Sequence, residues 1–276
     1  MSAREFAYTD DDFQRIREFV YSQTGISLSE GKREMVYSRL SRRLRQLGMR
    51  SFSEYRGYFE RDRGEIEHLT NAITTNLTAF FREQHHFDYL GKQLLPILLK
   101  RNAGTRRLRF WSAGCSTGEE VYSIALTVKA HLASADNWDV KILATDLDSN
   151  VLETASHGIY PIDRIERLPA DWIRMGFLKG SGANQGNIKV TEELRGMVEF
   201  RQLNLIKDWP ALGEFDVIFC RNVVIYFDKA TQMKLFDRFA NALTEGGHLF
   251  IGHSETLSNL TDRYSSLGKT IYQKIR

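Results

Sequence analysis

Residues 107–120, Arg-Leu-Arg-Phe-Trp-Ser-Ala-Gly-Cys-Ser-Thr-Gly-Glu-Glu, concentrate the chemical signal of the chain. A β-rich run from Leu108 to Trp111 meets small residues and two glycines, Gly114 and Gly118. A helical pattern then runs from Glu119 through Val121, Ile124, Ala125 and Val128. A strand feeding a glycine-bearing turn and a helix N-terminus lets backbone come close to a ligand. In open α/β sheets the ligand crevice lies at the carboxyl ends of such strands. Two acids, Glu119 and Glu120, stand where a phosphate binder would want none. No Gly-Lys-Ser/Thr follows the glycines, and Gly-x-Gly-x-x-Gly is missing. A phosphate-free nucleoside suits this loop better than a dinucleotide.

A second signal points the same way. Trp138 to Thr145 (WDVKILAT) has a strand pattern that ends at Asp146 and Asp148, with a helix from about Asn150 to Ser156. A carboxylate at the tip of the second strand is placed to accept both hydroxyls of a ribose. The alternative for Asp146 is a helix N-cap, a role that Asp148 can fill.

The elements that must position these residues occupy most of 276 residues, enough for one large or two modest domains. An apolar content of 42% and a charged content of 26% are ordinary for a globular protein. The N-terminus, Met1-Ser-Ala-Arg-Glu-Phe, lacks the apolar core of a signal peptide. No apolar run approaches a membrane span; Leu94 to Leu99 is broken by Pro96. Cys115 and Cys220 each end a predicted core strand and read as small buried hydrophobes in a reducing compartment. His85, His86 and His253 have no ligand-like spacing with those thiols, so no metal is expected. The expected compartment is cytoplasmic.

The net charge of +3 is unevenly spread. Lys32, Arg33, Arg39, Arg42, Arg43, Arg45 and Arg50 face a single acid, Glu34, between positions 32 and 50. Residues 10–75 read as short amphipathic helices. Asp10 or Asp11 caps the first, which Gly25 ends; Ser29 opens a longer one, Glu30 to Leu47, stopped at Gly48. There Val36, Leu40, Leu44 and Leu47 form one buried stripe, with Arg39, Arg42 and Arg45 pointing away from it. Further pieces span Ser53–Glu60 and Glu65–Ile73.

Residues 76–100 are expected to form a connecting helix. Beyond it strand and helix alternate at Leu108–Ala113, Glu119–Leu132, Val140–Thr145, Val151–Ser156, Val198–Leu203, Asp216–Cys220, Lys229–Leu243 and His248–Gly252, with a last strand at Thr270–Ile275. Such alternation implies a parallel sheet with helices on both faces. Between Gly158 and Met197 it breaks. Turn signals at Lys179-Gly-Ser-Gly and Asn184-Gln-Gly-Asn, and the short strand Ile188-Lys-Val-Thr, predict an inserted antiparallel subdomain.

Taken together, Thr75-Asn-Leu-Thr-Ala-Phe-Phe-Arg-Glu83, the Ser112–Glu120 loop, Asp146, Asn204-Leu205, Cys220-Arg-Asn-Val-Val-Ile-Tyr-Phe-Asp228 and Gly252-His-Ser-Glu255 resemble the chemotaxis receptor methyltransferases, the CheR family. The resemblance covers nearly the whole chain. It implies an α/β fold, a class I S-adenosyl-L-methionine-dependent methyltransferase (Rossmann-like) domain with an inserted antiparallel β-subdomain, preceded by a small all-α domain. Residues 1–75 would be the helical substrate-docking domain and 76–276 the methyltransferase domain, with 158–197 as the insertion. The implied activity is O-methylation of glutamate side chains on the cytoplasmic helices of chemoreceptors, leaving S-adenosyl-L-homocysteine. Whether a receptor C-terminal peptide also binds the β-subdomain stays open. No nucleic acid, no membrane insertion and a monomer are expected.

Residue by residue, the resemblance implies that Asn76, Thr78 and Arg82 cover the cofactor. Glu120 and Asp146 would hold its methionine or ribose portion, with Glu119 as the alternative to Glu120. Asn204 and Leu205 would flank the adenine, and Arg221 and Asn222 would close the floor near the sulfonium. A glutamate with an ordinary pKa of about 4.3 is ionised at neutral pH, so the displacement needs no general base. Catalysis then rests on alignment, where positioning supplies roughly 7–11 kcal/mol. Arg82 suits a carboxylate clamp, and Tyr226 is placed to lean on the methyl group or bond the carboxylate. Their bland alternatives are a solvated helix residue and a core aromatic.

The arginine helix has three readings: a solvated face, a phosphate footprint, or a dock for glutamate-bearing helices. The resemblance favours the third, with Arg39, Arg42 and Arg45 contacting substrate. Two other functions compete: an RNA or small-molecule methyltransferase, since fold does not fix substrate, and a cofactor-binding signalling adaptor.

Overall fold

The computed structural model describes residues 4–132 and 137–276. Met1 to Ala3, part of the terminus read above for a signal peptide, lie outside the described residues.

Four helices open the chain: α1 (Asp10–Thr24), α2 (Arg33–Leu47), α3 (Phe52–Phe59) and α4 (Arg63–Ile73). The cap of α1 is Thr9, one residue before the expected aspartates. Its hydroxyl accepts from the Asp12 amide at 3.1 Å, and the Asp12 carboxylate accepts from the Thr9 amide at 3.0 Å. Those reciprocal bonds satisfy two amides that helix geometry leaves bare. Gly25 closes α1 at φ 72°. A 3-10 turn at Glu30–Lys32 precedes α2, and the Ser29 side chain makes no capping bond. Val36, Leu40 and Leu44 of the predicted stripe are fully buried. Beneath them the Glu65 carboxylate is 1% exposed and accepts from Arg43 at 2.9 and 2.6 Å and from the Tyr55 hydroxyl at 2.8 Å.

The expected helix over 76–100 is broken. Residues 74–79 run without regular structure into a turn where Phe81 and Glu83 take positive φ of 54° and 59°. The turn is pinned by its aromatics: Phe80 packs edge-on against Tyr160 and Phe177, Phe81 against Phe87. Only then do α5 (His85–Tyr89), a π-helical turn (Leu90–Leu94) and α6 (Leu95–Arg101) follow. Pro96 has no N–H to give back to the Lys92 carbonyl, and the ladder shifts there.

The main sheet has seven strands. They are β1 (Arg107–Ala113), β2 (Asp139–Asp146), β6 (Val198–Gln202), β7 (Phe215–Cys220), β8 (Leu243–Ile251), β9 (Tyr264–Gly268) and β10 (Ile271–Lys274), in the order β6-β2-β1-β7-β8-β10-β9. The first five are parallel, but β10 runs antiparallel to both β8 and β9. The all-parallel expectation is thus corrected to a mixed sheet. Strand β9 goes unseen in the sequence because Tyr264 alone of its residues is buried. Lys269 and Thr270, at φ 51° and 59°, make the tight turn that folds it back on β10.

Helices α7 (Glu119–His131), α8 (Ser149–His157) and α11 (Lys229–Ala242) follow β1, β2 and β7. The insertion forms its own antiparallel sheet, β3 (Ile159–Pro161), β5 (Asn187–Val190) and β4 (Phe177–Lys179), with α9 (Ala170–Gly176) between β3 and β4 and α10 (Glu192–Arg195) after β5. Two apolar clusters, around Phe110, Ile124 and Phe219 and around Trp111, Ile218 and Phe239, hold the sheet and its helices together. Strand β1 pairs with β2 on one side and β7 on the other, so the chain changes direction there and a crevice opens at the carboxyl ends.

Removing one partner of a buried ion pair strands the other. Glu65→Ala should therefore destabilise the protein by up to about 3–5 kcal/mol, less where Arg43 regains solvent. Denaturant unfolding of Glu65→Ala checks this, and a change no larger than that of a surface substitution would refute it.

Candidate functional site

The crevice is a cleft enclosing about 1210 Å³ of empty space, open mouth included. Asn76, Thr78, Arg82, Glu120, Asp146, Asn204, Leu205, Arg221, Asn222 and Tyr226 all line it. They come from the connector, from the first turn of the helix after β1 and from the ends of β2, β6 and β7, and the sheet brings them together.

The glycine loop forms one wall. Gly114 sits at φ 94°, and a Cβ there would fall 2.3 Å from Val223 Cγ2, so only glycine fits. Glu120 faces the cleft: its carboxylate accepts from the Ser112 hydroxyl at 2.7 Å and lies 3.2 Å from Arg221 Nη1. Glu119 turns away to bond the Thr117 hydroxyl at 2.6 Å and to pair with Arg164. Burial pushes the Glu120 carboxyl above its usual range, and Arg221 pulls it only part of the way back.

At the tip of β2, Asp146 accepts from the amides of Ser116 at 2.9 Å and Asp148 at 3.0 Å. Burial nonetheless raises its carboxyl. Asp148 is the cap of α8, accepting from the Asn150 amide at 3.0 Å. Its other oxygen takes the Thr74 hydroxyl at 2.8 Å and the Asn76 amide at 2.7 Å. Of the two roles that the sequence left open for Asp146, the helix cap thus belongs to Asp148.

At the end of β7 the Arg221 side chain is 2% exposed. Its Nη2 lies 3.3 Å from Glu83 Oε2 and donates to the Arg82 carbonyl, while Nε is buried without a partner among the described residues. Burial pushes Glu83 up, but bonds from His253 and the Arg221 charge outweigh it and hold the carboxyl at about 2. The fold also brings ligand atoms of Glu83, His85 and His86 within 4.8 Å. Arg221 and His253 already sit on that carboxylate, and His86 Nε2 bonds the Lys269 carbonyl, so the group is poorly suited to a metal.

Asn222 has φ 59°, with its amide donating to Glu255 at 3.0 Å. The same carboxylate accepts from Gly252 at 2.5 Å and Ile225 at 3.2 Å, tying the 221–226 turn to the loop after β8. Arg82 donates to the Leu77 carbonyl at 2.8 Å. Glu83 and Glu255 stand inside the recognised motifs, but nothing in their spacing gives them a task.

The helical domain supplies a roof that the sequence reading missed. Thr24, Ile26, Ser27, Leu28, Lys32 and Met35 line the cleft. Asn204 donates to the Gln23 carbonyl at 2.8 Å, and the Ser27 amide donates to the Tyr226 carbonyl at 2.8 Å. Gly25 lets the chain pass close to Ile206, where a Cβ would come within 2.8 Å.

The arginine helix needs correction at Arg39. Its guanidinium reaches the carbonyls of Ala72, Ile73 and Thr74 at 3.3, 2.9 and 2.6 Å, closing the C-terminal end of α4. A helix end leaves carbonyls unsatisfied, and a nearby cation takes them up. Arg39 is therefore not free to meet a substrate. Arg42 and Arg45 are exposed, with Arg45 near Glu5 at 3.1 Å.

No helix among the described residues is long and apolar enough to cross a membrane. Two family models match the chain, "CheR methyltransferase, all-alpha domain" over residues 11–74 and "CheR methyltransferase, SAM binding domain" over 76–273. Chemotaxis protein methyltransferase 2 of Pseudomonas aeruginosa is 51% identical over 270 residues, covering 98% of this chain and 95% of that relative. The chemotaxis protein methyltransferase of Escherichia coli is 43% identical, covering 96% and 91%. That of Borreliella burgdorferi is 42% identical, covering 90% and 89%. With a cleft at the switch point of a methyltransferase-like sheet and both models matched in order, the chain belongs to the CheR family of S-adenosyl-L-methionine-dependent methyltransferases.

Proposed function

We propose that this enzyme methylates glutamate side chains on the cytoplasmic helices of chemoreceptors, acting in the cytoplasm as a monomer. The observation that carries the site assignment is the Glu120–Arg221 pair at the cleft wall, 3.2 Å apart with Arg221 Nε unpartnered. A carboxylate beside a guanidinium complements the ammonium and carboxylate of an amino acid, which is the methionine end of the cofactor. Asp146 would take the ribose hydroxyls, Asn204 and Leu205 would flank the base, and Asn76 and Thr78 would cover it. Bound there, S-adenosylmethionine supplies an electrophilic methyl group.

The protein's own part is alignment. Arg82 orients the incoming carboxylate through its planar fork and leaves one oxygen to attack. Tyr226, which also lines the cleft, confines the approach. Neither needs to move a proton, because the nucleophile arrives ionised. Arg42 and Arg45 would draw acidic receptor helices towards the mouth, raising the encounter rate more than the final affinity. Transfer of radiolabelled methyl to a receptor fragment, with base-labile release as methanol, tests the reaction. A base-stable label would overturn the ester.

Asp146→Ala should weaken cofactor binding tenfold or more, since two hydrogen bonds to a charged group contribute about 1.5–3 kcal/mol each. The raised carboxyl sets the sign with pH: wild-type binding should fall on acidification, and Asp146→Ala should lose the share of that fall due to Asp146 while keeping the share due to the Glu120 carboxyl, which burial also raises. Calorimetry with S-adenosylhomocysteine measures both, and unchanged affinity in a folded mutant would remove the ribose assignment.

Arg82→Ala should lower turnover more than cofactor affinity, with Arg82→Lys recovering only part. If both keep wild-type turnover and lose only affinity, Arg82 is a cofactor ligand alone.

Arg42→Glu with Arg45→Glu should slow receptor methylation and spare cofactor binding, and the wild-type rate should fall with salt. Arg39→Glu should instead lower thermal stability, since it strips the carbonyls at the end of α4. A double mutant at the wild-type rate would make the helix a solvated face.

A further inference from the structure

We infer that Glu83 is a positioning residue for methyl transfer: by sharing the Arg221 guanidinium with Glu120, it holds the Arg82 turn in place and leaves the Glu120 carboxylate available to a cationic ligand. This role presupposes that the cleft is the cofactor and methyl-transfer site.

The geometry is one guanidinium between two carboxylates. Arg221 Nη1 lies 3.2 Å from Glu120 Oε2 and Nη2 lies 3.3 Å from Glu83 Oε2, while Nη2 also donates to the Arg82 carbonyl. Glu83 Oε1 is anchored on the other side by His253 Nδ1 at 2.9 Å. The segment so clamped is the turn with Phe81 and Glu83 at positive φ, a backbone that persists only where its surroundings over-determine it. Arg82 stands between those two residues. Releasing the clamp frees the residue whose fork must face the substrate.

The charge count gives the second half of the role. With both acids ionised, two negative charges face one positive charge, and the cluster keeps a net negative charge for an ammonium group. With Glu83 neutral, Arg221 and Glu120 would cancel each other. Glu120 meets Arg221 and the Cys220 thiol from the end of β7, the Cys115 thiol from the glycine loop, the Ser112 hydroxyl from β1 and Glu83 from the connector. His86 lies 3.6 Å from Glu83, and burial together with Arg221 brings its pKa down to about 4, so it adds no charge near neutrality. Burial is the main cause of the raised Glu120 carboxyl, and the Glu83 charge adds to it.

The test is Glu83→Gln in the full chain, which keeps the shape and removes the charge. Turnover on a receptor fragment should fall about ten- to hundredfold, as for other displacements of a positioned group, with the receptor KM unchanged. The acid limb of S-adenosylhomocysteine binding, read by calorimetry, should move to lower pH, because Glu120 loses a like-charged neighbour. A purely structural role would not move that limb. Wild-type turnover, or lower turnover with the limb in place, overturns the role. Should Glu83→Gln fail to fold, His253→Ala decides, since that imidazole is 68% exposed. It should lower kcat several-fold at unchanged receptor KM and leave the limb where it is, because Glu83 keeps its charge; wild-type kcat there overturns the role. Failure of wild-type protein to bind S-adenosylhomocysteine at all would instead overturn the cleft reading, and this role with it.

Discussion

A guanidinium buried at the end of a central strand cannot be left alone. Arg221 is nearly without solvent, and an unpaired charge at such a place costs far more than a domain of this size can spare. Its partners arrive from distant parts of the chain, Glu83 from the connector and Glu120 from the first turn of α7. Satisfying one side chain therefore fixes the glycine loop, the strained turn and the end of β7 relative to one another. The cleft takes its shape from that requirement. Backbone amides and hydroxyls from Ser112, Ser116 and Asp148 then complete the acids that remain.

The same economy joins the two layers of the molecule. Helix α4 ends where Thr74 and Asn76 reach the Asp148 carboxylate, so the cap of α8 also anchors the start of the connector. Arg39 closes the same helix end from α2. The exit from the helical bundle is thereby set by two polar clamps, and the chain enters the cleft at a defined angle.

Much of this was legible in the sequence, and the misses have physical causes. Strands β1 and β2, the glycine loop and the caps at Gly25 and Gly48 follow from local patterns, because steric and burial rules act over a few residues. The ten cleft residues taken from the motifs do converge on one cavity. Helix periodicity suggested that Arg39 faced solvent, yet it could not show that a neighbouring helix ends within its reach. The break at 76–84 was invisible for a similar reason. Positive φ at Phe81 and Glu83 is imposed by aromatic packing and by Arg221, contacts far away in sequence. Glu255 and the 24–28 roof belong to the same class. Their neighbours lie across the fold, and a single sequence does not record them.

The roof has a consequence for how the two domains adhere. Across it run the hydrogen bonds of Gln23 with Asn204 and Ser27 with Tyr226, together with the pair of Tyr21 and Asp228. Such bonds contribute about 1 kcal/mol each after water is counted, so the seam is weak by itself. A molecule lodged beneath it that contacts both sides would tighten it, by the reciprocity that links two equilibria sharing one state. A nucleoside in the cleft is then mortar as well as reagent. Without it the roof would rest on those few hydrogen bonds, while the Thr74 and Asn76 bonds to Asp148 would still hold the exit from the helical bundle.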